Sequence, residues 1–327
     1  MRYAFTVLLL CCSFVGSAFA HHGVASLGVA GLEGPGSPIE TSSSATLPKG
    51  RVLVYAKLDY ARFELFTPET DGEGDRSAFW MYGIGYGATS YCSLFLFVPF
   101  YAKSLEDNSF NTSGFADLSL MGVLGFTYDG GLKRVPSHES LDDMEDWHFT
   151  VYGGLTLPTG NENIEDAAGA IDPGMSLGFG KPAYSAGWTA TKPFAGRLTF
   201  VFDTSLIRFM EHTYNDGNAM RFGDEFRVNS ALTMLLMTSA ARGFRLDGNI
   251  ETNYLKLGRD TLNGNGEPAT GGDILYVVPG IRSYYKSTSL GIGVKLPVWT
   301  GLNETDGQQG AEGTERYRVL VTFSVLL

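Results

Sequence analysis

The sequence predicts an all-β protein: an antiparallel transmembrane β-barrel of about 12 strands with an N-terminal tail or plug. Three observations carry that reading. From Arg51 onward, segments of roughly nine to fifteen residues alternate in polarity with period two, the length a tilted strand needs to cross a bilayer. The 327 residues include 42 glycines and 13% aromatics but only 18% charged residues, against roughly 25% charge in an average soluble domain. Past the first twenty residues, no apolar run approaches the ~18 residues of a spanning helix.

The N-terminus reads as an export signal. Arg2 opens a short positive region, Tyr3 to Phe14 is apolar, and Ala18-Phe19-Ala20 has the small-x-small form of a cleavage site. Residues 1–20 are therefore expected to be removed, leaving His21 as the mature start. Leu10 stands before Cys11 where a lipoprotein signal needs a small residue, which argues against lipidation. Cys92 alone remains in the mature chain, so an internal disulfide and a cysteine-based metal site are excluded. Residues 21–50 form the tail or plug. They are rich in Gly, Ser, Thr and Pro, and the stretch Val24 to Leu32 is apolar enough to tuck into a barrel.

The barrel is assigned to residues 51–327. The last segment alternates most clearly: Tyr317, Val319, Val321, Phe323, Val325 and Leu327 share one face, and Arg316, Arg318, Thr322 and Ser324 the other. The same split occurs in Val52–Tyr60, Leu198–Leu206, Glu225–Met234 and Phe244–Tyr254. One apolar face and one charged face fit lipid outside and a polar lumen inside. Expected strands are 51–65, 78–89, 91–103, 114–128, 146–157, 175–192, 196–208, 221–237, 242–256, 273–285, 286–298 and 313–327. Tight turns at Thr89-Ser90, Pro193–Gly196 and Tyr285-Lys286 each follow an even-numbered strand, and long polar loops follow odd ones. Short periplasmic turns and long outer loops are the usual asymmetry. Asp129 to Glu145 breaks it, being long and acidic, with Leu141 and Met144 at helical spacing behind Ser140. It is read as a short helix or a misplaced strand.

Two sets of short motifs carry a family resemblance. One is Leu155-Thr-Leu-Pro-Thr-Gly160, then Asp172-Pro-Gly-Met, Gly178-Phe-Gly180 and a Tyr/Trp-rich strand to Phe194; the other is Gly114-Phe-Ala-Asp-Leu-Ser-Leu120. Together they resemble the bacterial outer-membrane family labelled "MetA-pathway of phenol degradation", a transporter group distantly like hydrocarbon and fatty-acid uptake channels. The resemblance covers most of residues 51–327. It implies an outer-membrane barrel in a Gram-negative bacterium, loosely linked to aromatic-compound transport, with no catalytic residues to carry over.

The alternation directs Lys57, Arg227, Arg245, Arg282, Lys295, Arg316 and Arg318 into the lumen, together with Asp59, Asp117, Asp203, Glu225, Asp247 and Glu251. Most belong to the last six strands. Two readings stand: the pairs fill and satisfy a narrow interior, or they form a constriction that selects solutes by charge and width. Gly83, Gly85, Gly87, Gly291 and Gly293 also face inward and lower the bulk of the wall. His21-His22 at a free amino terminus is a candidate copper site, since amine and imidazole nitrogens suit Cu(II). The net charge of −11 with no basic stripe excludes nucleic acid. Neither His138, His148 nor His212 sits in a nucleophile motif, and no Gly-x-Ser-x-Gly occurs, so an enzyme is not expected. The expected role is passage of small aromatic or hydrophobic solutes across the outer membrane. The expected partners are the bilayer, lipopolysaccharide and the outer-membrane assembly machinery. The alternative is a structural or copper-linked barrel.

Overall fold

The computed structural model describes residues 37–64, 74–105, 110–137, 146–194, 197–303 and 314–327. Among them, twelve long antiparallel strands close into a barrel. They are β1 (Val52–Phe63), β2 (Gly74–Thr89), β3 (Cys92–Leu105), β4 (Leu118–Tyr128), β5 (Trp147–Leu157), β6 (Ala183–Phe194), β7 (Leu198–Arg208), β8 (Glu225–Ser239), β9 (Phe244–Leu257), β10 (Gly272–Tyr285), β11 (Thr288–Leu302) and β12 (Glu315–Leu326). Each pairs with its sequence neighbour, and β12 closes the ring on β1 from Leu53↔Leu326 to Phe63↔Glu315. Closure leaves no free sheet edge, which is what lets a β-structure satisfy its backbone in lipid.

Side chains alternate across the wall as period-two geometry requires. Lipid-facing residues such as Ile84, Leu94, Ile250 and Ile292 are exposed, while their immediate neighbours face in and are buried. Among the outward aromatics, Tyr86, Tyr285 and Trp299 lie toward strand ends, where such barrels carry girdles at headgroup level, while Tyr82 and Trp188 lie at mid-strand.

Tight connections lie at one rim. Ser90-Tyr91, Lys286-Ser287 and the 3₁₀ turn Ala240–Arg242 join paired strands, with Gly243 at φ 59° closing the last. The segment at 129–145 partly departs from expectation. Leu132–Arg134 pairs back on Phe126–Tyr128, and Val135 is buried at the base of the barrel. The helix expected near Ser140 to Met144 lies outside the described residues.

Two strand assignments are corrected at the opposite rim. The sixth strand starts at Ala183 rather than 175, because residues 158–182 fold inward as a loop. The fourth is interrupted at Ala116-Asp117: Asn111–Phe115 pairs with the outer half of β3, and β4 with its other half.

Candidate functional site

The lumen is occupied by the chain's own tail. Residues 37–44 are buried, and the run to Leu47 lies against the inner wall before β1 begins. Backbone geometry explains the fit. The N–H groups of Ile39, Glu40 and Thr41 converge on the Glu251 carboxylate at 2.6, 3.2 and 2.7 Å, and the Thr41 hydroxyl donates to it at 2.7 Å. Three consecutive amides around one anion form the kind of concavity that binds carboxylates in general. The Glu40 carboxylate in turn accepts from Lys57 Nζ at 2.7 Å and Lys295 Nζ at 3.2 Å. Arg282 donates to the Pro38 carbonyl at 2.8 Å. Further along, Ser44 meets Thr189 at 2.6 Å, and Leu47 N–H donates to Ser93 at 2.8 Å.

Inward glycines make the room. A Cβ at Gly280 or at Gly291 would stand 2.8 Å from an Ile39 side-chain carbon. Ile39 fills this space against Val278 and Leu320. The low wall bulk noted in the sequence at Gly85, Gly87, Gly291 and Gly293 is therefore taken up, in this conformation, by the tail, whereas Gly83 faces Phe97 and Tyr55 of the wall.

The expected lumen residues sort by partner. Arg227 pairs with Glu225 at 2.6 Å, and Arg245, half-buried, with Asp247 at 2.7 Å. Arg318 reaches Asp59 at 3.4 Å, and its Nε donates to Glu315 at 2.8 Å. Asp203 accepts from Tyr152 at 2.9 Å and Asn229 at 2.8 Å. Lys57, Lys295, Arg282 and Glu251 instead meet at the tail. Arg316 does not face the lumen; it is exposed. Between Arg62↔Tyr317 and Phe63↔Glu315, β12 holds one extra residue. Such a bulge switches the face of every residue beyond it. Glu315 turns inward in its place, and only the pairing register could have revealed that. Glu40 and Lys103 were also missed: the first lies in a segment without periodicity, the second was legible as an inward position of β3. His21 and His22 lie outside the described residues.

Asp117 does a different job from the other carboxylates. Its Oδ1 accepts from the N–H groups of Thr159 and Gly160 at 2.9 and 2.8 Å, and its Oδ2 from Phe179 at 2.8 Å. It thus ties both limbs of the inward loop 158–182 to the wall. Lys103 holds the middle, donating to the carbonyls of Gly174 at 2.7 Å and Ser176 at 2.8 Å. A Cβ on Gly178 would stand 2.7 Å from Asp117 Oδ1, so glycine is needed for this approach. Within the loop, burial pushes the Asp172 carboxyl up to about 7, against the N–H groups of Gly174 and Met175 and the Lys103 charge. Burial also raises the Tyr214 hydroxyl, with Glu162 and Asp172 adding to the effect.

Under the loop lies an aromatic pocket. Phe79, Tyr101, Phe179, Ile207, Phe209 and Phe222 form much of its lining, with Lys103 and Asp117 at its polar edge. Space open to the centre of a water molecule is ≈ 50 Å³, room for a few waters. The pocket is mostly apolar with a few convergent polar groups, the usual makeup of a small-molecule site.

The two motif sets of the sequence meet at this anchor, Asp117 from one gripping Thr159, Gly160 and Phe179 from the other. A model of the family described as "Putative MetA-pathway of phenol degradation" matches residues 76–298, more than half of the chain. The chain belongs to that family. Members of the curated protein collections give no match. Among solved structures, the COG4313 outer membrane channel from Pseudomonas putida F1 is similar at 13% identity, covering 86% of this chain and 97% of its own, with a TM-score of 0.64. The β domain of the Bordetella autotransporter BrkA is 8% identical over 85% of this chain and 99% of its own, TM-score 0.44. The likeness to the Pseudomonas protein is one of fold. With the family and the closed barrel, it places this protein in the outer membrane of a Gram-negative bacterium.

Proposed function

We propose that the protein is an outer-membrane channel for small aromatic or otherwise weakly polar solutes, held shut in this conformation by residues 37–47. The observation that carries the reading is the aromatic pocket at the outer mouth. Its walls offer apolar and π surface to a passing solute, and movement of the loop 158–182 would both widen it and release the Lys103 and Asp117 hydrogen bonds to orient one. The tail supports the reading through how it is held. Its buried residues are mostly Ser and Thr plus Glu40, bound by directed polar contacts rather than by a large apolar face. Contacts of that kind exchange for water when a segment withdraws, so a tail fixed this way is removable. The similar Pseudomonas protein is itself described as an outer membrane channel, and family membership agrees.

The test is planar-bilayer conductance of the whole chain and of a form lacking residues 21–48, with entry of benzyl alcohol into proteoliposomes alongside. The truncated form is expected to conduct more and to admit the alcohol faster. Silence of both forms, with no entry of the alcohol, would contradict a channel.

A further inference from the structure

We propose that the lumen contains an organic-anion site, formed by Lys57 and Lys295, which the tail fills with its own Ile39-Glu40, and that the solutes admitted are small apolar monocarboxylates. The proposal rests on the channel reading above and gives it a substrate class.

The wall cations fall into two groups. Arg227, Arg245 and Arg318 each have a carboxylate partner on the wall itself, at 2.6, 2.7 and 2.8 Å. Lys57 and Lys295 share one carboxylate that comes from the tail, that of Glu40. Asp59, the inward acid two residues from Lys57, is engaged by Arg318. Arg282 stands opposite Asp247 in the ladder and steadies the tail beside the lysines, bonding the Pro38 carbonyl at 2.8 Å and Ser289 at 3.1 Å. Lys57 and Lys295 are both buried, Lys57 among the most deeply buried large side chains of the described residues. Cations in a low-dielectric wall need an anion near them, and the cost of leaving them without one is high. When the tail withdraws, its carboxylate leaves with it, and an anion from solution is the natural replacement.

The surroundings define the rest of that anion. Lys295 Nζ stands 4.4 Å from the centre of the Tyr276 ring, so an aromatic face borders the charge. Beside it is the slot that Gly280, Gly291 and Gly293 leave open and Ile39 occupies. Ile39-Glu40 thus has the outline of its competitor: a compact apolar body next to one carboxylate. Glu251 sets the limit. Once the amides of residues 39–41 depart, it presents a negative charge that opposes a second carboxylate, so a monoanion is favoured over a dianion.

The test uses the full chain in proteoliposomes and compares entry of benzoate, phthalate and benzyl alcohol. The wild type is expected to admit benzoate ahead of phthalate. Glu40→Gln, which weakens the tail's hold on the lysines, should raise the benzoate-to-benzyl-alcohol ratio. Lys57→Met/Lys295→Met should lower that ratio about tenfold, the scale of one lost charge contact. Heat-modifiable gel migration verifies that each variant folds. If the double variant does not, Glu40→Gln decides alone. An unchanged ratio in the folded variants, with both solutes still entering, overturns the anion site and leaves the channel standing. Failure of every solute to enter, in every form including the one lacking residues 21–48, overturns the channel and the anion site with it.

Discussion

The wall from β8 to β12 and the wall from β2 to β5 enclose one lumen with opposite chemistry. The first presents Glu225, Arg227, Asp247, Glu251, Arg282, Lys295 and Arg318; the second presents Phe79, Met81, Phe95, Phe97, Met121 and Val123, with Phe95 and Phe97 stacked at 5.9 Å. Directed contacts fix register. The tail is accordingly positioned at Ile39–Thr41, where Glu251 and the two lysines face it. Apolar contact is non-directional, so the aromatic wall accepts the tail at Ala45 and Leu47 and leaves space near the outer mouth. The charged half recognises a specific chain segment, and the aromatic half suits solutes defined mainly by size.

The largest effect that separates the halves is expected at Glu251. Glu251→Leu strands three buried N–H groups and removes the charge they surround, which should weaken tail docking by about 3–5 kcal/mol. Hydrogen exchange at Ile39, Glu40 and Thr41 should rise by two orders of magnitude or more, while strand amides stay protected. Unchanged protection at those three amides would mean that the charged wall does not hold the tail.

Asp117→Ala is the counterpart at the outer mouth. Removing the acceptor of three N–H groups should free the loop 158–182 at a cost of about 2–4 kcal/mol, read as faster protease cutting there with the tail still protected. Loss of tail protection in the same variant would show that the two regions act as one.

A pH effect is expected in the loop. The folded Asp172 carboxyl titrates near 7, above the ordinary 3.8, because it is buried. The attached loop therefore keeps a proton that the detached loop gives up. The resulting stability is full below about pH 4, declines as pH rises, and is gone above about pH 7. Exchange in residues 158–182, corrected for its intrinsic rate, should increase between about pH 5 and pH 8, and Asp172→Asn should flatten the trend. The smallest effect belongs to Arg316. Arg318→Ala, on the lumen side, should shift ion selectivity toward cations, whereas Arg316→Ala should leave it unchanged because a bulge turns that residue outward.

The barrel was legible because period-two alternation is imposed at every position of a wall between lipid and lumen. Twelve strands and most inward charges follow from that parity alone. Arg316 shows where parity stops: one extra residue in β12 reverses the face, and the sequence around Glu315 carries no mark of it. Residues 158–182 show a second limit. Gly178-Phe-Gly180 continued a strand on paper, but an Asp172-Pro173-Gly174 turn and the Asp117 anchor draw the segment inside. Glu40 illustrates the third. Its partners Lys57, Glu251 and Lys295 were each placed in the lumen, yet nothing local to a Ser/Thr-rich tail pairs one glutamate with them.

The direct test of a removable tail is to lock it. Ser44 and Thr189 touch through their hydroxyls at 2.6 Å, close enough for cysteines there to form a disulfide. In a Cys92→Ser background, Ser44→Cys/Thr189→Cys should give a barrel that is silent in bilayers and admits no solute when oxidised, and that opens on addition of a reductant. Equal conductance in the oxidised and reduced states would contradict the account, since passage would then not depend on the tail leaving the lumen.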